Sequence, residues 1–98
     1  MTEIEPPTES LSIRRRKLHF RSWHRGMREM DLILGAFADA AIAGLTAAEI
    51  EQYEQLLELP DTDLLAWFTG EKPVPEEMQA GIFPRILAFS RAAGFEKR

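Results

Sequence analysis

Residues 22–34 read SWHRGMREMDLIL, from Ser22 to Leu34, and the path of the chain through Gly26 governs what the flanking segments can build. Apolar residues run through and beyond this stretch: Phe20, Trp23, Met27, Met30, Leu34, Phe37 and Ala41 follow steps of three, four, three, four, three and four. Such spacing lays one continuous apolar stripe along a helix that faces a core. Gly26 lies inside the stripe, where it costs about 1 kcal/mol relative to alanine. Two outcomes are expected: a break that splits the segment from Leu11 to about Ala43 into two helices, or the close approach of another backbone.

On a helical wheel Trp23, Met27, Met30 and Leu34 fall on one side, while Arg25, Arg28, Glu29, Leu32 and Ala36 fall on the other. Arg25 and Glu29 then stand four residues apart and can pair. A surface pair in this order adds only a few tenths of a kcal/mol. That is too little to account for Gly26 or for an outward Leu32. A contact surface accounts for both: glycine admits another backbone or a flat ligand, the ion pair holds a directed polar head, and Leu32 adds apolar contact.

Outward from this stretch the pattern stays helical, with no sustained alternation of period two, so the fold class is all-α, a compact bundle of four to five short helices. In GLTAAEIEQYEQLLEL, Thr46 and Glu49 have capping-box spacing, Leu45 and Ile50 suit a hydrophobic staple, and Ile50, Tyr53 and Leu57 supply a buried line. In LPDTDLLAWFTG, Asp61 is expected to cap a short helix and Gly70 to end it. Its Leu64, Leu65, Trp67 and Phe68 cover too much of the circumference for a one-faced helix, so it is sandwiched or shows an aromatic edge. EKPVP is a turn. After it Met78, Ile82, Ile86, Phe89 and Ala93 trace a last apolar face, with Pro84 either kinking that helix or lying in its first turn, and Gly94 as its C-cap.

A chain of 98 residues with 45% hydrophobic content supports one core. Residues 1–9, acidic and proline-bearing, are expected to form a disordered tail ahead of a single domain over residues 10–95. No run approaches the length of a membrane span, and the N-terminus has no basic lead-in of a signal or transit peptide. Without cysteine there are no disulfides, thiolate metal sites or cysteine nucleophiles. The net charge of −4 is unevenly spread: Arg14 to Arg28 carries only bases, whereas from Glu29 to Glu77 Lys72 is the lone base. A positive end of this kind meets something anionic.

Enzymatic signals are weak. His19 and His24 are five apart and diverge around a helix, which argues against a metal site. Phosphate loops, nucleophile elbows and dinucleotide fingerprints are missing, and so small a bundle offers little concave volume. The basic run from Arg14 to Arg28 supports an alternative reading as a small nucleic-acid-binding or regulatory module. The acidic remainder and the lack of a known nucleic-acid motif weigh against it.

RGMRE followed by MD resembles the RGxxE signature of the small FAD assembly factors of succinate dehydrogenase, the SdhE type, also called flavinator proteins. The basic lead-in RRRKLHFRSWHRG and the block YEQLLELPDTDLLAWFTG are similar to that family in order and separation, so the likeness runs from about Arg15 to about Arg91. The resemblance implies a five-helix bundle with no enzymatic activity of its own. It implies binding to the flavoprotein subunit of succinate dehydrogenase, and in some bacteria of fumarate reductase, to promote covalent attachment of FAD to a histidine of that client. The FAD is then held by the client and no cofactor by this chain, in the cytoplasm of a bacterium, with neither nucleic acid nor membrane as partner. Carried onto this sequence, Arg25, Gly26 and Glu29 match the signature and lie at the partner interface near the client's flavin, together with Arg28, Asp31 and Leu32. Arg16, Lys17, Arg21 and His24 are secondary basic contacts, His24 standing where many members carry another arginine, and Trp67 is expected in the core.

Overall fold

A computed structural model of the chain describes residues 10–94, and the tail expected over residues 1–9 lies outside them. The described residues form α1 (Leu11–Trp23), α2 (Arg28–Ala41), α3 (Ala47–Leu56), α4 (Asp61–Thr69) and α5 (Ile82–Ala93). Short 3-10 turns occupy Ile42–Gly44 and Glu76–Met78, and no strand occurs among the described residues.

The chain breaks at Gly26. Its φ of +91° lies where a side chain is strained, and Met27 next to it is extended as the residue that opens α2. The reversal through His24 to Met27 makes α1 and α2 an antiparallel pair: Trp23 lies over Gly35, His19 meets Asp39, and Arg15 reaches the Ile42 carbonyl. Close approach does occur, but at Gly35. A Cβ there would sit 2.2 Å from the Trp23 indole, whereas one at Gly26 would meet nothing within 4 Å.

The break also overturns the expected single stripe from Phe20 to Ala41. With the helix interrupted, α1 sets its own phase and turns Leu18 and Ser22 into the bundle. Phe20, two residues from Leu18 and so on the far side of the helix, is 62% exposed. From α2 onward the apolar pattern reads through as expected, with Met30, Leu34 and Phe37 buried beside Ile33 and Ala38.

Thr46 and Glu49 close their capping box: the Glu49 N–H donates to Thr46 Oγ1 (3.1 Å) and the Thr46 N–H to Glu49 Oε1 (2.9 Å). Ile50, Tyr53 and Leu57 are buried, and Leu45 belongs to the same core. Asp61 does not cap α4. Pro60 holds that position, and the Asp61 carboxylate, in the first turn, is taken by Arg25. Gly70 ends α4 in the left-handed conformation, as Gly94 ends α5. Pro84 is the third residue of α5, where its missing N–H forfeits no helical bond, so this helix starts rather than kinks there.

The core joins Leu34, Phe37, Ile50, Tyr53, Leu64, Phe68, Phe83 and Ile86. Phe68 stacks on Phe83 at 4.8 Å, and the Trp67 ring meets Phe83 edge-on at 6.0 Å. Leu64 and Phe68 thus point inward while Leu65 and Trp67 pack at the core's margin, which is how α4 accommodates apolar residues on so many sides.

Candidate functional site

The α1–α2 turn takes its shape from one largely enclosed cation. The Arg25 side chain is only 11% exposed, and its Nε donates to Asp61 Oδ1 at 2.7 Å. Its other guanidinium nitrogens donate to the carbonyls of Leu57 (2.6 Å) and Leu59 (2.9 Å). Carbonyls at the end of a helix lack intrahelical donors and carry the negative end of its dipole, so a guanidinium fork suits them. The backbone N–H of Arg25 donates to Asp31 Oδ1 at 2.6 Å, tying the turn to the first turn of α2. One residue thereby joins the turn, the end of α3 and the start of α4.

This geometry corrects the wheel. Arg25 and Glu29 do not share a face and do not pair, because the positive φ of Gly26 redirects the chain between them. Arg25 and the half-buried Asp31 are turned to internal partners. Gly26, Arg28 and Glu29 are exposed, and Leu32 is half-buried beside them on α2. The signature residues therefore divide into a brace and an outward tip.

Beside the tip, His24 stacks on Phe20 with ring centroids 3.9 Å apart, and its Nδ1–H donates to the Phe20 carbonyl at 2.6 Å. His19 and the Trp23 indole N–H both bond Asp39 Oδ1, contacts that hold the Asp39 carboxyl below its usual range. An open, shallow depression runs here between α1 and α2. Among the described residues no three His, Asp or Glu side chains gather as metal ligands.

Most of the basic run is engaged within the fold. Arg14 donates twice to Glu54 (3.0 and 2.7 Å), and these bonds hold the Glu54 carboxyl below its usual range. Arg15 donates to the carbonyls of Ile42 (3.1 Å) and Leu45 (2.7 Å), and Arg21 to Glu58 (2.8 Å). Arg16, Lys17 and Arg28 are exposed. A phosphate backbone would have to compete with acceptors already in place for four of the arginines, which weakens the nucleic-acid reading.

Sequence reasoning missed Ser22 as a structural residue. Its hydroxyl is fully buried, donates to the Leu18 carbonyl (2.7 Å) and lies 2.6 Å from the Tyr53 hydroxyl, which also reaches the Leu34 carbonyl (3.2 Å). Burial pushes the Tyr53 phenol up to about 12. The available signal was the spacing of Leu11, Leu18 and Ser22, a second inward line on α1 that carries a small polar residue.

Comparison with known proteins adds to this geometry. Residues 16–90 match the family model described as flavinator of succinate dehydrogenase. The FAD assembly factor SdhE of Acetobacter pasteurianus is 40% identical over 83 residues, covering 85% of this chain and 76% of that protein. The mitochondrial succinate dehydrogenase assembly factor 2 of Dictyostelium discoideum is 41% identical over 72 residues, covering 74% of this chain and 51% of the relative. Its Schizosaccharomyces pombe namesake is 34% identical over 77 residues, covering 78% and 55%. Against these two mitochondrial proteins the match spans only about half of their length. On the family match and the identity to the Acetobacter protein, this chain belongs to the succinate dehydrogenase flavinator family.

Proposed function

We propose that this protein binds the flavoprotein subunit of succinate dehydrogenase and promotes covalent attachment of FAD to it, as a helper without catalytic chemistry of its own. The observation that carries the reading is the family match over residues 16–90, which spans the braced turn and everything that braces it. Fumarate reductase is left out of the proposal, since the relatives are named for succinate dehydrogenase alone.

In mechanism, the FAD and the histidine that captures it both belong to the client. This chain contributes position: a rigid tip pressed against a mobile part of the client keeps its reacting groups together, and holding reactants in place can remove a large share of a barrier. Gly26, Arg28 and Glu29 form that tip, with Leu32 at its edge. Arg25 and Asp31 act through it, keeping the turn in one shape rather than touching client groups. Arg16, Lys17 and Arg21 add positive charge along α1, Arg21 while paired to Glu58, and His24 adds an exposed polar ring beside the tip. The bacterial cytoplasm is the proposed compartment, and no helix among the described residues is long and apolar enough to cross a membrane.

The test is a strain lacking this protein. Its succinate dehydrogenase flavoprotein, run on a denaturing gel, should lose covalent flavin fluorescence, and fluorescence at the normal level would refute the proposal. Restoring Glu29→Ala should leave flavinylation impaired although the fold is intact.

A further inference from the structure

The two exposed large hydrophobic residues among those described, Ile13 (36%) and Phe20 (62%), both lie on α1. Seven residues apart, they share one side of the helix, with Arg16 and Lys17 between them at the intervening turn. Depressions lie on both sides of the Phe20 ring. One opens toward α2, past His19, Trp23 and Asp39, and the other lies among Ile13, Arg16, Lys17 and Arg21. Phe20 is thus a knob standing between two hollows, and the stacked His24 ring connects it to the α1–α2 turn.

From this arrangement we infer that the outer face of α1 is a second contact surface, on which Phe20 enters an apolar pocket of the client flavoprotein rimmed by carboxylates. The inference rests on the proposed function and extends its contact from the turn along α1. Continuity is one ground: His24 is bonded to Phe20 and lies two residues before Gly26, so a partner covering the tip reaches the knob without a gap. Charge is the other. Arg16 presents an exposed positive charge beside an aromatic anchor, on a chain whose net charge is −4, and such a charge favours an acidic rim. An aromatic side chain centred in a charged ring has the composition of a binding hot spot. Protein fits better than nucleic acid here because the anchor is a single apolar ring, and Arg14, Arg15 and Arg21, which a phosphate chain along α1 would need, are already held by acceptors within the fold.

The experiment measures binding of the full chain to the purified flavoprotein subunit of succinate dehydrogenase by titration calorimetry, with melting of each variant as a control. Phe20→Ala should bind about thirty-fold more weakly, the scale of an aromatic hot spot, at an unchanged melting temperature. Arg16→Glu should weaken binding several-fold at low salt, and the gap to the parent protein should narrow as salt rises. If both variants bind like the parent while Glu29→Ala does not, the α1 surface is refuted and the proposed function stands. If the parent protein itself fails to bind, the proposed function falls and this inference with it. Should Phe20→Ala instead abolish self-association, or retention of a single-stranded oligonucleotide, with client binding intact, the surface belongs to another partner and the inference is overturned.

Discussion

Helices α1 and α2 lie side by side and are held by opposite chemistry. Helix α2 buries Met30, Ile33, Leu34, Phe37 and Ala38, an apolar line of the kind that hydrophobic spacing reveals. Helix α1 buries only Leu18 and Ser22, and docks through directed polar bonds: Arg14 to Glu54, Arg15 to two carbonyls, Ser22 to Tyr53, and Trp23 to Asp39. A helix attached by polar contacts need not spend its apolar residues on the core. That leaves Ile13 and Phe20 available on its outer side.

The contrast can be broken most severely from the α2 side. Phe37→Ala removes a ring that meets Tyr53 and Phe89 edge-on at 5.9 and 5.7 Å, and should cost about 3–5 kcal/mol by chemical denaturation. Next is Arg25→Ala, which strips the turn of three side-chain hydrogen bonds and leaves Asp61 without its cation. A loss of about 2–4 kcal/mol is expected, and Arg25→Lys should recover little because an ammonium cannot span the same acceptors. Equal stability of Arg25→Ala and the parent would remove the brace from this account.

Tyr53→Phe sharpens the polar side, with an expected cost of about 1 kcal/mol. It should also change the alkaline limit. The folded-state value of Tyr53 is raised to about 12 from the ordinary 10.0, so its contribution is complete below pH 10.0 and lost as pH rises toward about 12. Thermal melting followed across that window should fall for the parent and fall less for Tyr53→Phe. Glu54 acts in the opposite direction. Held below its ordinary 4.5 chiefly by the hydrogen bond from Arg14, it contributes stability above pH 4.5 that disappears as pH drops through the folded-state value. The pair is partly exposed, so Glu54→Gln should flatten the acid limb by less than about 1 kcal/mol.

The smallest structural effect is expected from Glu29→Ala, within about 0.5 kcal/mol in denaturant melts, because Glu29 is exposed and has no ion pair among the described residues. Its consequence should appear only in flavinylation of the client. Gly26→Arg is a poorer probe than its place in the signature suggests. At φ +91° any side chain is strained, so lost function would be mixed with lost stability.

Legibility followed the type of contact. The α2 stripe, the capping box at Thr46 and the stop at Gly70 were readable because each rests on neighbours within one helix. Gly26 was identified as a break or a close approach, and only one of those applied there. The partner that needs a bare glycine, Trp23, contacts Gly35 twelve residues further along. At the candidate site the residues were identifiable but their directions were not: the wheel set Arg25 outward beside Glu29, and tertiary structure turned it inward to Asp61. Two of the three acceptors that decided this are backbone carbonyls, of Leu57 at the C-cap of α3 and of Leu59 in the link to α4, and a backbone carbonyl has no letter in a sequence.

By itself, then, the sequence determined an all-helical chain, its caps and stops, the apolar face of α2 and the likeness to a flavinator, all of which depend on residue types at short separations. Tertiary structure alone decided which cations are consumed within the fold, that Phe20 faces solvent, and that the RGxxE stretch splits into an internal brace and an exposed tip. The physical reason is that a charged or aromatic side chain goes where its acceptors or packing partners lie. For Arg14, Arg21 and Arg25 those partners lie more than thirty residues away in the chain.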